Sequence, residues 1–205
     1  MKALWWLANI LGLGFLSWYN LAKSKEVSQN RMILKLSSLD VVSLFLLLSY
    51  FFCAVIRSVK SSFLKEKFVL SSYLVAASFT ITTTLVNLVF QPFEDVFETD
   101  LDKVLKLVPF NGGLLVVALF ESRNLAGLEA PSLKLLGVFE VYLGLWYGFI
   151  QYTVHKKTES FSYEVLNNLT FEQQLLCMLG FIAANMFFKY LLIESVIPKV
   201  KVKKT

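Results

Sequence analysis

The sequence predicts an all-α polytopic membrane protein, a bundle of six transmembrane helices. Of its 205 residues, 56% are hydrophobic and 17% are charged, against roughly 45–50% and about 25% in soluble domains. The apolar residues also fall into six blocks, and about 20 apolar residues suffice to cross a bilayer. This composition excludes intrinsic disorder, collagen and a disulfide scaffold. We therefore expect a single six-span domain over residues 1–205.

The six blocks differ in how clearly each predicts a span. The first follows Lys2 and is not followed by a small-x-small cleavage site, so we expect it to be retained rather than removed as a signal peptide. The fourth has one proline and two glycines near its start, so it is expected to be short or broken. Cys53 and Cys177 each lie within an apolar block and predict no disulfide. The predicted spans are residues 3–19, 39–56, 68–90, 104–120, 133–153 and 171–197.

Lysine and arginine are distributed unevenly between the two sides that six spans define. Eleven lie on the side that holds both termini and eight lie on the other. Because cytoplasmic loops carry an excess of basic residues, both termini are predicted to be cytosolic. The first predicted loop opposes this orientation, since it contains four basic residues of its own.

The C-terminal tail predicts a cellular address. Lys201 and Lys203 stand fifth and third from the end. This spacing resembles the K-x-K-x-x dilysine retrieval signal of endoplasmic reticulum membrane proteins, which coat proteins read on cytosolic tails. The alternative is a basic flank that attracts anionic lipid headgroups. The tail therefore predicts residence in the endoplasmic reticulum membrane, with coat proteins among the partners.

The sequence lacks the motifs of cofactor-dependent and nucleic-acid-binding proteins. One histidine and two separated cysteines cannot supply a zinc site. Neither a glycine-rich phosphate loop nor a G-x-S-x-G nucleophile elbow is present. No basic patch alternates with aromatic residues in the way that nucleic-acid-binding surfaces do. We expect no metal, no cofactor and no nucleic-acid partner.

Polar side chains within the apolar blocks are the candidate functional positions, because ionisable groups in a span are costly. Asp40 begins the second block and Glu121 ends the fourth, and both could lie at headgroup level. Glu140 lies deeper, about 10 Å below the surface if the fifth span begins near residue 133. Lys189 lies at a comparable depth from the same side. We therefore expect a Glu140–Lys189 pair, of a kind that more often fixes helix packing than performs catalysis.

Seven short segments follow one another in order along nearly the whole chain. Taken together, the segments place serine, proline, glycine or acidic residues at or near the ends of the predicted spans. They also place aromatic residues within the spans or just beyond them. Together they resemble the androgen-induced family of integral membrane proteins, which includes hydrolases of fatty acid esters of hydroxy fatty acids. The segments are residues 16–19, 35–40, 107–109, 111–121, 130–134, 142–146 and 158–163.

The resemblance implies a catalytic site that this chain completes only in part. The family's proposed mechanism uses a threonine near the start of the second span and a histidine near the start of the fourth. Ser37 falls at the first position and Asn111 at the second. Asparagine cannot act as a general base, so Ser37 lacks the group that would activate it. His155, the only histidine, could replace that base only if the end of the fifth span folds toward the second. The remaining candidate lining residues are Ser38, Asp40, Asn111 and Glu121.

The missing base favours a catalytically degenerate protein of the endoplasmic reticulum membrane, acting as a lipid-binding or accessory subunit. Its partners would be membrane lipids and other membrane protein subunits. The alternative is an active serine-type lipid ester hydrolase that uses Ser37 with His155. A weaker alternative is a small transporter with Glu140 and Lys189 in its path. A cavity beside Ser37 would favour a site, and solid packing there would favour a scaffold.

Overall fold

The computed structural model describes residues 2–60, 63–89, 113–122, 125 and 133–196. Every regular element within these ranges is an α-helix, which confirms the all-α prediction for this part of the chain. The helices are α1 Lys2–Val27, α2 Gln29–Leu36, α3 Leu39–Val59, α4 Glu66–Val89, α5 Gly113–Ser122, α6 Leu133–Thr158, α7 Glu164–Asn167 and α8 Phe171–Val196.

Three of these helices are long and apolar enough to cross a membrane. The stretches are Leu39–Val59 in α3, Glu66–Asn87 in α4 and Phe171–Glu194 in α8, and they correspond to the second, third and sixth predicted spans. Helices α1 and α6 each have 26 residues, but their polar and amphipathic aromatic side chains lower their mean hydropathy. Residues 104–112 of the fourth predicted span lie outside the described residues. Residues 113–120 of that span form most of the ten-residue helix α5.

The long helices alternate in direction, so the bundle has two distinct ends. At one end, the start of α3 contacts the end of α4 through Asp40 and Asn87. The end of α6 reaches the same place, where Gln151 bonds to the carbonyl of Ser37. At the other end, the start of α1 contacts the end of α5 through Trp5 and Glu121.

The main hydrophobic core lies between α1, α3, α4 and α5. Tyr50 of α3 and Tyr73 of α4 are fully buried at its centre, with ring centroids 5.4 Å apart in an edge-on arrangement. In the apolar stretch of α4, 67% of the residues are buried, whereas the figure for α8 is 17%. Helix α4 is therefore central, and α8 turns most of its apolar side chains outward.

Large apolar side chains on the outer surface extend along α1, α6 and α8. Leu11 is 73% exposed, Phe149 67% and Leu176 67%. Soluble monomers rarely expose contiguous apolar patches beyond a few hundred Å². Apolar outer faces on long helices match a lipid surrounding, in agreement with the three helices of membrane-crossing length.

Helices α6 and α8 approach each other closely at two glycines. A Cβ added at Gly144 would lie 2.5 Å from Cδ1 of Ile182, and one at Gly148 would lie 2.7 Å from Sδ of Met178. Glycines four residues apart let helix backbones approach closely, as in associating membrane helices. The side chains of Ile182 and Met178 on α8 therefore pack directly onto this glycine face of α6.

Candidate functional site

The turn between α2 and α3 carries the residues that the resemblance assigns to a nucleophile site. Ser37, Ser38 and Asp40 are all buried. The backbone of Ser38 is extended (φ −67°, ψ 147°), and its Oγ donates to the Lys35 carbonyl at 2.8 Å. Such local bonds offer the backbone an alternative to helix, and serines therefore favour helix ends. The turn directs these side chains into the bundle rather than toward headgroups.

The Ser37 hydroxyl contacts groups that cannot activate it. Its Oγ donates to the Leu34 carbonyl at 2.9 Å and lies 2.7 Å from Oγ of Ser162. Oγ of Ser162 also lies 2.9 Å from that carbonyl, but when Ser37 donates to Leu34 the single proton of Ser162 is needed for the bond to Oγ of Ser37. A nucleophilic hydroxyl needs a base within hydrogen-bond reach to take its proton. Within the described ranges, no histidine, carboxylate or amine bonds to Ser37.

Asp40 belongs to a second hydrogen-bonded group, three residues further along the chain. Nδ2 of Asn87 donates to Oδ1 of Asp40, and the hydroxyl of Tyr163 donates to Oδ1 of Asn87 at 2.7 Å. Burial raises the pKa of Tyr163, and the Asp40 carboxylate adds to this rise. Tyr163 therefore remains a neutral donor at physiological pH. We call Ser37, Ser38, Asp40, Asn87 and Ser162 the polar corner.

The segment after α6 folds back to complete the polar corner. Glu159 adopts the left-handed conformation (φ 58°), and its N–H bonds to the His155 carbonyl at 2.8 Å. A left-handed residue at this position commonly ends a helix. The N–H of Phe161 then donates to Oδ1 of Asn167 at 2.8 Å. These bonds turn residues 159–163 back over α6, so that Ser162 reaches Ser37.

Two side chains of α6 anchor the corner to the bundle. The hydroxyl of Tyr147 donates to the Ser37 carbonyl at 3.0 Å, and Nε2 of Gln151 donates to the same carbonyl. The sequence pattern singled out neither Gln151 nor Ser162. A glutamine inside an apolar block was the available signal for the first, because a buried amide needs partners.

His155 lies one turn beyond Gln151 but does not form a serine–histidine dyad. Its ring stacks on Phe161, with centroids 4.1 Å apart and planes 1° from parallel. Phe161 adjoins Ser162, so the end of α6 does fold toward the second predicted span. No hydrogen bond joins His155 to Ser37 or Ser162 among the described residues. Nδ1 of His155 is buried there without a hydrogen-bond partner.

A cavity of about 600 Å³ lies between α6 and α8, directly beside the polar corner. We call it the α6–α8 pocket. Most of its wall is apolar and includes Leu39, Val86 and Phe181. Ser37 is not part of the wall. The described wall also carries side chains with polar atoms, which are those of Tyr147, Gln151, Tyr152, His155, Tyr163, Gln174 and Cys177.

Glu121 does not line the polar corner, so its assignment there was wrong. Its carboxylate is fully buried and accepts from Nε1 of Trp5 at 2.8 Å, from Nε1 of Trp6 at 2.7 Å and from the hydroxyl of Tyr50 at 2.6 Å. Tyr50 lies ten residues along α3 from Asp40, which is about 15 Å of helix. Glu121 instead ties the end of α5 to α1 and α3.

The structure brings the two predicted intramembrane charges together. Nζ of Lys189 donates to Oε2 of Glu140, and Nδ2 of Asn185 donates to Oε1 of the same carboxylate. All three residues are buried. Glu140 lies one turn before Gly144 on α6, so the ion pair extends the close α6–α8 contact. This cluster joins two helices and lies apart from the polar corner.

Three predicted positions cannot be placed. Asn111, Lys201 and Lys203 lie outside the described residues. Within the described ranges, no three histidine, cysteine, aspartate or glutamate residues are grouped so that they could hold a metal ion.

The fold and site define a class of protein. It is an all-helical bundle, as far as it is described, with three helices of membrane-crossing length and a buried polar corner beside an apolar pocket. The chain matches no protein-family model, no curated protein and no solved structure.

Proposed function

We propose that this protein is a six-span membrane protein of the endoplasmic reticulum that binds lipid without hydrolysing it. It would be a catalytically degenerate relative of the androgen-induced membrane hydrolases that its sequence resembles. The observation that carries the proposal is the bonding of Ser37. Its hydroxyl meets a backbone carbonyl and a second serine, and neither can take a proton from it at neutral pH.

The α6–α8 pocket supports lipid as the ligand. Its wall is largely apolar, and exposed lining residues such as Tyr152 and Phe171 mark a mouth on the outer surface of the bundle. A ligand that enters there would come from the surrounding bilayer. The volume of about 600 Å³ falls within the range of roughly 300–1,000 Å³ that is typical of small-ligand sites.

The alternating helix directions support six spans rather than three. Helices α1 and α6 are 26 residues long, which is about 39 Å at 1.5 Å per residue and longer than a hydrocarbon core. Their outer faces are apolar. Six passes would put both termini on one side, and the excess of basic residues favours the cytosol for that side. The spacing of Lys201 and Lys203 resembles a dilysine retrieval signal, which supports the endoplasmic reticulum as the proposed location.

The test uses the purified full-length chain in lipid nanodiscs. We expect no fluorophosphonate labelling of Ser37 and the same turnover of a fluorogenic acyl ester by the wild type and by Ser37→Ala. We also expect lipid to be recovered by solvent extraction and mass spectrometry. Turnover that disappears in Ser37→Ala would overturn the proposal.

The active hydrolase is the second candidate, and one observation favours it. His155 stacks on Phe161, whose neighbour Ser162 touches Ser37. In such an enzyme Ser162 would relay the proton of Ser37 toward His155. His155→Ala and Ser162→Ala would then abolish turnover together with Ser37→Ala, whereas Thr153→Val on the exposed side of α6 would not.

A further inference from the structure

The α6–α8 pocket contains a buried acceptor that no described residue satisfies. Nε2 of Gln151 donates to the Ser37 carbonyl and, at 2.7 Å, to the hydroxyl oxygen of Tyr147. A carbonyl can only accept, so the amide nitrogen must face it and the amide oxygen must face away. That oxygen, Oε1, is buried and has no hydrogen-bond partner among the described residues. Gln151 itself is 7% exposed and lines the pocket.

A second acceptor lies one helical turn away. Nδ1 of His155 is likewise buried and without a partner within the described ranges, and His155 also lines the pocket. In a neutral imidazole with its proton on Nε2, Nδ1 accepts a hydrogen bond. Buried polar atoms are nearly always bonded, so an amide oxygen and an imidazole nitrogen on neighbouring turns of the pocket wall mark a place where the polar end of a ligand can bind.

The wall of the pocket disfavours a charged ligand. Its described lining residues include no lysine or arginine. An ionised fatty acid would bring only acceptors toward the amide oxygen of Gln151, which is itself an acceptor, and no lysine or arginine of the described wall would pair with the buried charge. The phosphate of a phospholipid headgroup would likewise need a lysine or arginine, which the described wall does not supply. A hydroxyl group can donate to Oε1 or Nδ1 without adding charge.

The size of the pocket limits the apolar part of the ligand. A volume of about 600 Å³ fits a single small ligand. Along one side of the pocket, α8 side chains pack onto Gly144 and Gly148 of α6, which limits its width. We infer that the pocket binds a neutral single-chain lipid whose polar end donates hydroxyl hydrogen bonds to Gln151 and His155, as in the monoacylglycerol class. This inference rests on the proposed lipid-binding function and names its ligand class.

Cys177 provides a direct readout, because it is exposed and lines the pocket. The probe is 1-O-oleylglycerol, an ether that no esterase can cleave, and the matched control is oleate at a pH where its carboxyl is ionised. Both are added to the full-length protein in nanodiscs before alkylation with N-ethylmaleimide, and the modified peptides are quantified by mass spectrometry. Cys53 lies on α3 outside the pocket wall and serves as the internal standard.

We expect the ether lipid to slow Cys177 alkylation by about tenfold at a concentration where oleate has little effect, because about tenfold protection requires the lipid to be present at roughly nine times its Kd. The rate at Cys53 should not change. His155→Phe keeps a ring for stacking on Phe161 but removes the ring nitrogen, so it should weaken the preference and leave the part that depends on Gln151. Thr153→Val should retain the preference, because among the described residues the Thr153 hydroxyl bonds only to the Phe149 carbonyl, on the exposed side of α6.

The outcomes separate this inference from the proposed function. Equal protection by the two lipids would overturn the hydroxyl preference and leave lipid binding intact. No protection by either lipid would overturn the pocket as a lipid site. Ester turnover that depends on Ser37 would overturn the non-catalytic proposal without affecting the ether-lipid result. If His155→Phe fails to fold, the comparison of the two lipids on the wild type decides.

Discussion

Gln151 on α6 donates a hydrogen bond to the backbone carbonyl of Ser37, 114 positions earlier in the chain. Tyr147 donates to the same carbonyl from one turn earlier on α6. The serine at the nucleophile position is therefore held by its backbone as well as by its hydroxyl. A group fixed in this way acts as a structural joint between α6 and the start of α3.

Gln151→Leu should destabilise the protein through this joint. The substitution leaves the Ser37 carbonyl with one donor fewer and removes the contact to Ser162, so we expect a loss of about 1–3 kcal/mol in the free energy of unfolding. Denaturant unfolding in micelles, followed by circular dichroism, measures it. Tyr152→Phe is the matched control, because Tyr152 is 62% exposed on the same helix. An unchanged unfolding midpoint for Gln151→Leu would show that the hydrogen bonds of Gln151 do not stabilise the protein.

The Glu140–Lys189 pair should behave as a coupled unit. Lys189→Met leaves a buried carboxylate with Asn185 as its remaining described partner, and removing one member of a buried pair costs about 3–5 kcal/mol. Glu140→Leu combined with Lys189→Met removes both charges and should recover much of that loss. A double-mutant cycle on unfolding free energies measures the coupling, with the exposed Glu172→Gln as a control. Additive losses would mean that the two charges do not depend on each other.

Glu121→Gln should loosen the junction of α1, α3 and α5. At least three donors from the described residues converge on the carboxylate, but an amide offers only one acceptor oxygen. At least one tryptophan N–H would then face an amide nitrogen. We expect a loss of about 1.5–3 kcal/mol, typical of hydrogen bonds to charged groups, and faster proteolysis at the start of α1. Wild-type stability together with wild-type proteolysis would contradict this role for Glu121.

Gly144→Ala and Gly180→Ala should differ in sign. A Cβ at Gly144 would meet Ile182 at 2.5 Å, whereas no atom of the described part of the chain lies within 4 Å of a Cβ at Gly180. Alanine favours helix over glycine by about 1 kcal/mol, so Gly180→Ala should stabilise the protein. Gly144→Ala should instead displace the Ile182 side chain, whose Cδ1 and Cγ1 would lie 2.5 and 2.6 Å from the new Cβ, and lower the thermal midpoint. Equal shifts for the two variants would contradict the close α6–α8 approach.

Some of this arrangement could be predicted from the sequence. The apolar blocks predict helices because a lipid surrounding leaves helices and closed barrels as the spanning structures. Glu140 and Lys189 could be paired because a charge at that depth needs a partner. Both residues were predicted at comparable depths from the same side of the membrane, so each was the nearest opposite charge available to the other.

The rest depends on tertiary contacts that no periodicity encodes. Glu121 ends its apolar block and so was consistent with headgroup level, yet Trp5 and Trp6 of α1 enclose it. Ser162 lies in a short polar segment whose reversal over α6 depends on the backbone of Glu159. The polar corner joins α3, α4 and α6 with this segment, and only the folded chain brings them together.

The central claim is that Ser37 is not a nucleophile, and covalent labelling tests it most directly. The wild-type protein in nanodiscs is treated with a fluorophosphonate, and modification of the peptide containing Ser37 is quantified against the Ser37→Ala variant. We expect no modification at Ser37, because its hydroxyl bonds to Leu34 and Ser162 and to no base within the described residues. Stoichiometric labelling of Ser37 that His155→Ala abolishes would contradict the account and establish a serine hydrolase.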